Sequence, residues 1–474
     1  MKVLLAARRS VLVMMLVAST GASAQPTPSL ALPEAVAAAL KTANIPASAV
    51  GITVASLSGS GLTLTLNENQ PMNPASTMKL ATTLAGLELL GPQYQWRTDL
   101  MSNVPLKSGV LEGDLWLRGT GDPQLVIEDL WLLVQRLRGV GVREIRGNLI
   151  LDRSAFEAAP HDPSAFDGEA LRPYNAGPDA LLLNYKAVSF HFIADHENKL
   201  ARVYALPALA GLVAPATVRG VEGACNDWRV RLGGDFSDPL RPTFRGAYPL
   251  SCGDKVWHVS MLESHQYAEA LFRSLWDSSG GVWKGRVREG LVPTDAKLLA
   301  QHESRPLAEL IRDINKYSNN VMARQLFLTL GAEASRRPAN KERAQRAVGD
   351  WLASKGLDRR EFVLENGAGL SRIERLTASA LSRLLQSAFA SPLMPEFVSS
   401  LPIVGVDGTM RRRSAAAGSA HIKTGLLSDT RAIAGYVLSA SGKRYVVVAF
   451  INHPNAGAGQ PALDALLNWV YVQG

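Results

Sequence analysis

Three short clusters of reactive side chains lie far apart on a chain of 474 residues: Ser76-Thr77-Met78-Lys79, Ser318-Asn319-Asn320 and Lys423-Thr424-Gly425. If they serve one site, both ends of the chain must meet there, and most of the residues between the first two clusters must loop out and return. That condition restricts the fold more than any compositional figure does. Singly the clusters say little. At average residue usage S-x-x-K is expected roughly twice in a chain of this length, S-x-N about once and K-T-G about 0.1 times. Their joint occurrence, in this order and each beside a suitable element, is the signal.

The residue types describe an acylating site. A serine hydroxyl stays protonated at neutral pH, so it becomes a nucleophile only beside a base and a charge-stabilising pocket. Ser76 precedes an apolar helical stripe, Met78 to Leu90, and Lys79 falls one turn later on the same face. A lysine half-buried among cations and polar groups loses its proton readily enough to act as that base. Ser318 is placed to relay a proton, and Asn320 to donate to a substrate amide carbonyl and to contact Lys79. Lys423 supplies positive charge and Thr424 a hydroxyl for a substrate carboxylate. Gly425 leaves a bare strand edge against which an extended substrate lies. The amides of Ser76 and Leu426 are the candidate oxyanion donors.

The N-terminus reads as an export leader, 1–24. Lys2, Arg8 and Arg9 precede the short apolar run Val11 to Val17, and Ala22-Ser23-Ala24 forms a small-x-small cleavage site. The apolar run is shorter than the roughly 20 residues a bilayer requires, so no transmembrane anchor is expected and the mature protein is placed outside the cytoplasm. Cys225 and Cys252 are the only cysteines. In an oxidising compartment so close a pair is expected to be bridged, a closure worth about 3.5 kcal/mol in the chain-entropy model. His191 and His196 read as surface residues, no metal-ligand spacing occurs, and no cofactor is expected. The formal charge of +8 includes the three leader cations, and no basic stripe with interleaved aromatics is present, which argues against nucleic acid as a partner.

The length exceeds one ordinary core. Segments 25–96 and 289–474 read as the two parts of one split α/β domain, with strands near both chain ends and helices from about 304 onward. The stretch 97–288 has short strand-like runs between Gly, Pro and Asp turns and reads as a mostly β insertion. The fold class is therefore multi-domain α/β.

With these motifs in place, the chain resembles the penicillin-recognising serine enzymes. It is most similar to the secreted D-alanyl-D-alanine carboxypeptidases/endopeptidases, the class C low-molecular-mass penicillin-binding proteins of penicillin-binding protein 4 type. Further segments similar to that family are Leu117 to Pro123, Glu365 to Arg372 and Leu401 to Thr409. The resemblance implies a serine β-lactamase/transpeptidase-like domain whose insertion forms two nested subdomains. It implies attack by Ser76 on D-Ala-D-Ala termini or D-alanyl cross-links of peptidoglycan stem peptides in the periplasm, and trapping by β-lactams. It also implies an acidic residue of the insertion that holds the free amine of diaminopimelate, for which Glu169, with Asp167 nearby, is the candidate. Arg372 lines the same end of the cleft or forms a structural ion pair.

The chain departs from the family pattern in two places. Leu426 stands where Ser or Thr is usual, removing one hydroxyl for a substrate carboxylate, with carboxypeptidase action expected to suffer more than endopeptidase action. Glu365-Asn366-Gly367 stands where Asp-Gly is frequent and is given structural meaning only. A β-lactamase-like hydrolase is disfavoured by the large insertion and the lack of an E-x-x-L-N segment. A non-catalytic peptidoglycan-binding protein has no need of the full set of reactive groups.

Overall fold

The computed structural model describes residues 31–59 and 61–474; the expected leader 1–24 lies outside them. The two ends of the chain build one sheet. Its five strands run in the order Leu64–Leu66, Val50–Ser56, Arg444–Asn452, Thr430–Leu438, Ala420–Leu427, all antiparallel. The join between the ends is the pairing of Val50 with Ile451 through to Ser56 with Tyr445.

Because successive strand residues face opposite ways, the apolar run at 445–451 splits between two layers. Val446, Val448 and Phe450 pack against helices on one face, including Met78–Leu89, Leu307–Lys316, Asn320–Ser335 and Ala378–Phe389. Val447, Ala449 and Ile451 face the first helix, Glu34–Thr42, and the last, Gln460–Gln473. A strand buried on both faces reads as a continuous hydrophobic run, as this one does. Helix Met78–Leu89 is the central element: every residue from Met78 to Leu87 is buried, which fits an all-round apolar helix. Its hydroxyls are satisfied inside, with Thr82 Oγ1 donating to the Gly367 carbonyl at 2.6 Å and Thr83 Oγ1 to that of Lys79 at 2.8 Å.

The inserted stretch has its own contiguous core and two five-stranded sheets. One runs Val287–Glu289, Leu149–Asp152, Leu115–Gly119, Arg97–Ser102, Lys297–Glu303; the other contains Val188–Asp195, Leu200–Leu206 and Lys255–Val259. Two features differ from the sequence reading. The boundary drawn at 288 cuts the first sheet, since Lys297–Glu303 pairs with Arg97–Ser102; pairing, not composition, carries the insertion on to Glu303. Helices Ile127–Gly139 and Ser264–Ser278 also belong to this region, with Leu130, Leu133, Val134 and Leu137 of the first buried along one stripe.

Cys225 and Cys252 are joined by a disulfide in the second inserted sheet region. Replacing both by serine should cost about 3.5 kcal/mol, seen as an earlier urea transition of the tryptophan fluorescence; an unmoved transition would assign the bridge no stabilising role.

Candidate active site

The turn before Ser76 is held by side-chain amides. Asn73 Oδ1 accepts from the Ala75 amide at 2.9 Å, and Asn73 Nδ2 donates to the Ser371 carbonyl at 2.9 Å. Asn452, at the end of its strand, grips the Asn73 backbone from the sheet side, accepting at 2.7 Å and donating at 3.0 Å. Ser76 therefore enters the central helix from a fixed turn and is half-buried.

One helical turn on, Lys79 is fully buried. Its Nζ donates to Ser76 Oγ at 2.9 Å, to Asn320 Oδ1 at 2.6 Å and to the Ala368 carbonyl. Burial lowers its proton affinity well below the ordinary lysine value. The positive charges of Lys423 and Arg324 add to that effect, and the Glu374 carboxylate opposes it. An amine whose charge is disfavoured by burial, held against a serine hydroxyl, is placed to exchange a proton with it.

Asn320 and Ser318 come from the turn between two helices. Ser318 adopts a left-handed conformation, φ +58°, which costs a non-glycine residue roughly 1–2 kcal/mol and aims its side chain into the cleft side of the turn. Asn319 caps the next helix by accepting from the Met322 amide at 3.1 Å. Ser318 Oγ accepts from Lys423 Nζ at 2.8 Å. Lys423 is also fully buried and also donates to the Thr424 carbonyl at 2.7 Å; burial depresses it to about 7. It reaches Ser318 rather than Ser76. The site is thus two lysine-centred clusters, Ser76–Lys79–Asn320 and Ser318–Lys423, joined through one three-residue turn.

Lys423 lies on an edge strand whose outer side is partly covered. The Ile422 amide donates to the Pro402 carbonyl at 2.8 Å and the Val404 amide to that of Ala420 at 3.0 Å. Backbone groups on an antiparallel strand alternate in direction, so Thr424 and Leu426, of the same parity, turn theirs to the open continuation of that edge. Gly425 seats the strand on the nucleophile turn: a Cβ there would lie 2.8 Å from the Pro74 carbonyl oxygen and 3.0 Å from Ala75 Cβ. Thr424 Oγ1 donates to Thr409 Oγ1 at 2.8 Å, and the Leu426 side chain is 60 % exposed. Thr409 and the Ala368 carbonyl are contacts the motifs did not reveal, although both lie in segments marked as family-like.

Beside this cleft is a cavity of about 680 Å³, lined from the insertion by Phe156, Asp162 and Phe166 and from the helical part by Arg324, Leu370 and Arg372. The Arg372 guanidinium stacks 4.6 Å from the Phe166 ring and reaches Asp429 at 3.5 Å. Glu169 is not among the lining residues. Its carboxylate pairs with Arg172 at 3.1 Å, while Asp167 accepts from Tyr174 and Asn175, each at 2.8 Å. The carboxylates of this loop that line the cavity are Glu157 and Asp162.

Replacing Lys79 by alanine should slow acylation by a labelled penicillin about 10²–10⁴-fold, the range for a lost general base. Binding of a carboxylate-bearing inhibitor should weaken as pH rises through about 7, where Lys423 loses its charge, and Lys423→Met should flatten that profile. A flat wild-type profile would contradict the assignment.

A family model described as the D-Ala-D-Ala carboxypeptidase 3 (S13) family matches residues 32–470. The chain is 30 % identical over 413 residues to a D-alanyl-D-alanine carboxypeptidase of Actinomadura sp. (strain R39), covering 82 % of this chain and 75 % of the relative. It is 26 % identical to a D-alanyl-D-alanine carboxypeptidase of Haemophilus influenzae, covering 81 % of each. In fold it is similar to the crystal structure of penicillin binding protein 4 from Haemophilus influenzae, with a TM-score of 0.77 at 24 % identity over 92 % of this chain and 99 % of that one. A match running from residue 32 to residue 470 spans both halves of the shared sheet and everything between them, and the chain belongs to the D-Ala-D-Ala carboxypeptidase 3 (S13) family of serine-type peptidases.

Proposed function

We propose that the protein hydrolyses D-alanyl-D-alanine termini and D-alanyl cross-links of peptidoglycan stem peptides, acting as carboxypeptidase and D,D-endopeptidase through an acyl-enzyme on Ser76. The observation that carries this reading is the 2.9 Å contact between Ser76 Oγ and the buried Nζ of Lys79. Ser76 Oγ attacks the substrate carbonyl carbon as its proton passes to neutral Lys79. The oxyanion is received by the amides of Ser76 and Leu426. As the C–N bond breaks, the proton moves on by way of Ser318 to the leaving amine. Water then attacks the ester, its proton is taken up by Lys79, and Ser76 leaves reprotonated. A β-lactam follows the first half of this path, but its leaving nitrogen stays tethered, so the ester persists.

Lys423 and Thr424 are the groups proposed to meet the substrate carboxylate, with the peptide laid along the open edge at 424–426. The cavity beside the cleft suits a side chain ending in an amine. We assign the acid role there to Asp162 rather than Glu169, because Asp162 lines the cavity, Glu157 beside it is already taken up by Arg343 and Asn340, and hydrogen bonds from the Ser164 hydroxyl and amide hold the Asp162 carboxyl below the usual range. Among the described residues no helix is long and apolar enough to cross a membrane. With the leader read at 1–24, the periplasm is the proposed compartment.

Labelled penicillin should mark the wild type covalently, with the added mass on Ser76, and should not mark Ser76→Ala. Cross-linked muropeptides should then yield free D-alanine and monomers. Labelling without either product would support a β-lactam-binding role only, and no labelling would reject the acyl-enzyme. Asp162→Asn should raise KM about tenfold, the scale of one charge-assisted hydrogen bond, for peptides with a free amine on the third residue. Peptides lacking that amine should be unaffected; an equal loss on both would remove Asp162 from the recognition role.

A further inference from the structure

The loop that brings Ala368 to Lys79 is wound around a buried anion. Glu374 is fully buried. Its Oε1 accepts from the amides of Glu365 at 3.0 Å, Asn366 at 2.9 Å and Gly367 at 2.8 Å, and its Oε2 from the amide of Gly369 at 2.9 Å. Successive amides converging on one point form an anion-binding concavity, here occupied by a carboxylate of the same chain. Gly367 and Gly369 permit the curl, with φ of +68° and +75°.

The outer surface of that loop meets the reacting groups. The Ala368 carbonyl accepts from Lys79 Nζ, and the Gly367 carbonyl accepts from Thr82 on the same helix. Gly369 lies so close to the nucleophile turn that a Cβ would be 2.7 Å from the Ser76 amide nitrogen. We propose that Glu374 is a positioning residue for the Ser76–Lys79 pair: its carboxylate gathers residues 365–369 into the loop that fixes Lys79 Nζ and braces the backbone of Ser76. This inference rests on the reading of Lys79 as the proton acceptor.

The same carboxylate has an electrostatic effect. The charged groups acting on Lys79 are Lys423 from the edge strand, Arg324 from the helix after Asn320, and Glu374 from beneath the loop. Both cations lower its proton affinity, and Glu374 alone raises it. Burial holds the Glu374 carboxyl above the usual carboxylate range, the neighbouring Glu365 charge adds to that, and the backbone donors of residues 365–367 oppose it by favouring the ionised form. Removing the anion while keeping the shape therefore leaves Lys79 facing two cations, and its proton is lost at lower pH.

The test is the pH profile of acylation by a fluorescent penicillin in Glu374→Gln and Glu374→Asp, with thermal unfolding as a check on folding. In Glu374→Gln the amide NH₂ faces an N–H donor. Acylation is expected to fall at least tenfold near neutrality, and the acidic limb to move to lower pH. In Glu374→Asp, which keeps the charge on a shorter stem, the rate falls but the limb stays at the wild-type position. A folded Glu374→Gln protein with an unchanged rate, or with a reduced rate and an unmoved limb, would overturn the proposal. If Glu374→Gln does not fold, the aspartate variant decides alone: a wild-type rate rejects the proposal, and a lowered rate with a wild-type limb supports it. Wild-type protein that never labels would instead remove the Ser76 reading beneath it.

Discussion

Two lysine side chains are buried completely within one cleft, and the rest of the molecule is arranged around that fact. A buried amine is costly unless its hydrogen bonds are met, and the acceptors here come from distant segments. Lys79 is met by Ser76, Asn320 and Ala368; Lys423 is met by Ser318 and its neighbour's carbonyl. The turn carrying Ser318 and Asn320 touches both. Loss of water disfavours protonation of both, and the Lys423 charge adds to that effect on Lys79, so burying the pair lowers the proton affinity of an amine beside a serine.

That arrangement requires the chain ends to be fixed together. The pairing of Val50–Ser56 with Arg444–Asn452 supplies the fixture, and Asn452 transmits it directly to the turn before Ser76. The nucleophile turn, the edge strand and the loop at 365–369 are then in mutual contact, through Gly425 on one side and Gly369 on the other. The insertion leaves and returns through adjacent paired strands, Arg97–Ser102 and Lys297–Glu303. It can therefore present the Phe156–Phe166 loop to the cavity without disturbing the sheet that holds the lysines.

The strands at 420–452 and the helices after 304 were legible because their apolar patterns are long and uninterrupted. The helix Ile127–Gly139 carries an equally clear period, Leu130, Leu133, Val134, Leu137, but it lies among short strand runs and turn residues that drew the whole region toward β. The end of the insertion was missed because Lys297–Glu303 is assigned by the strand it pairs with, and pairing has no local signature. The carboxylates of the 153–172 loop show the same limit of local pattern. In a loop rich in Asp and Glu, sequence distance does not say which carboxylate faces the cavity and which turns to Arg172.

The sequence by itself determined the candidate reacting groups: a serine one helical turn before a lysine, a capped Ser-x-Asn turn, and a strand edge with a glycine. Those depend on local periodicity and residue chemistry, which the chain carries wherever it is placed. Tertiary structure alone decided the protonation balance. Whether Lys79 is a base depends on burial, on Lys423 and Arg324 nearby, and on Glu374 beneath the loop, and each of those is a distance between segments that no local pattern encodes.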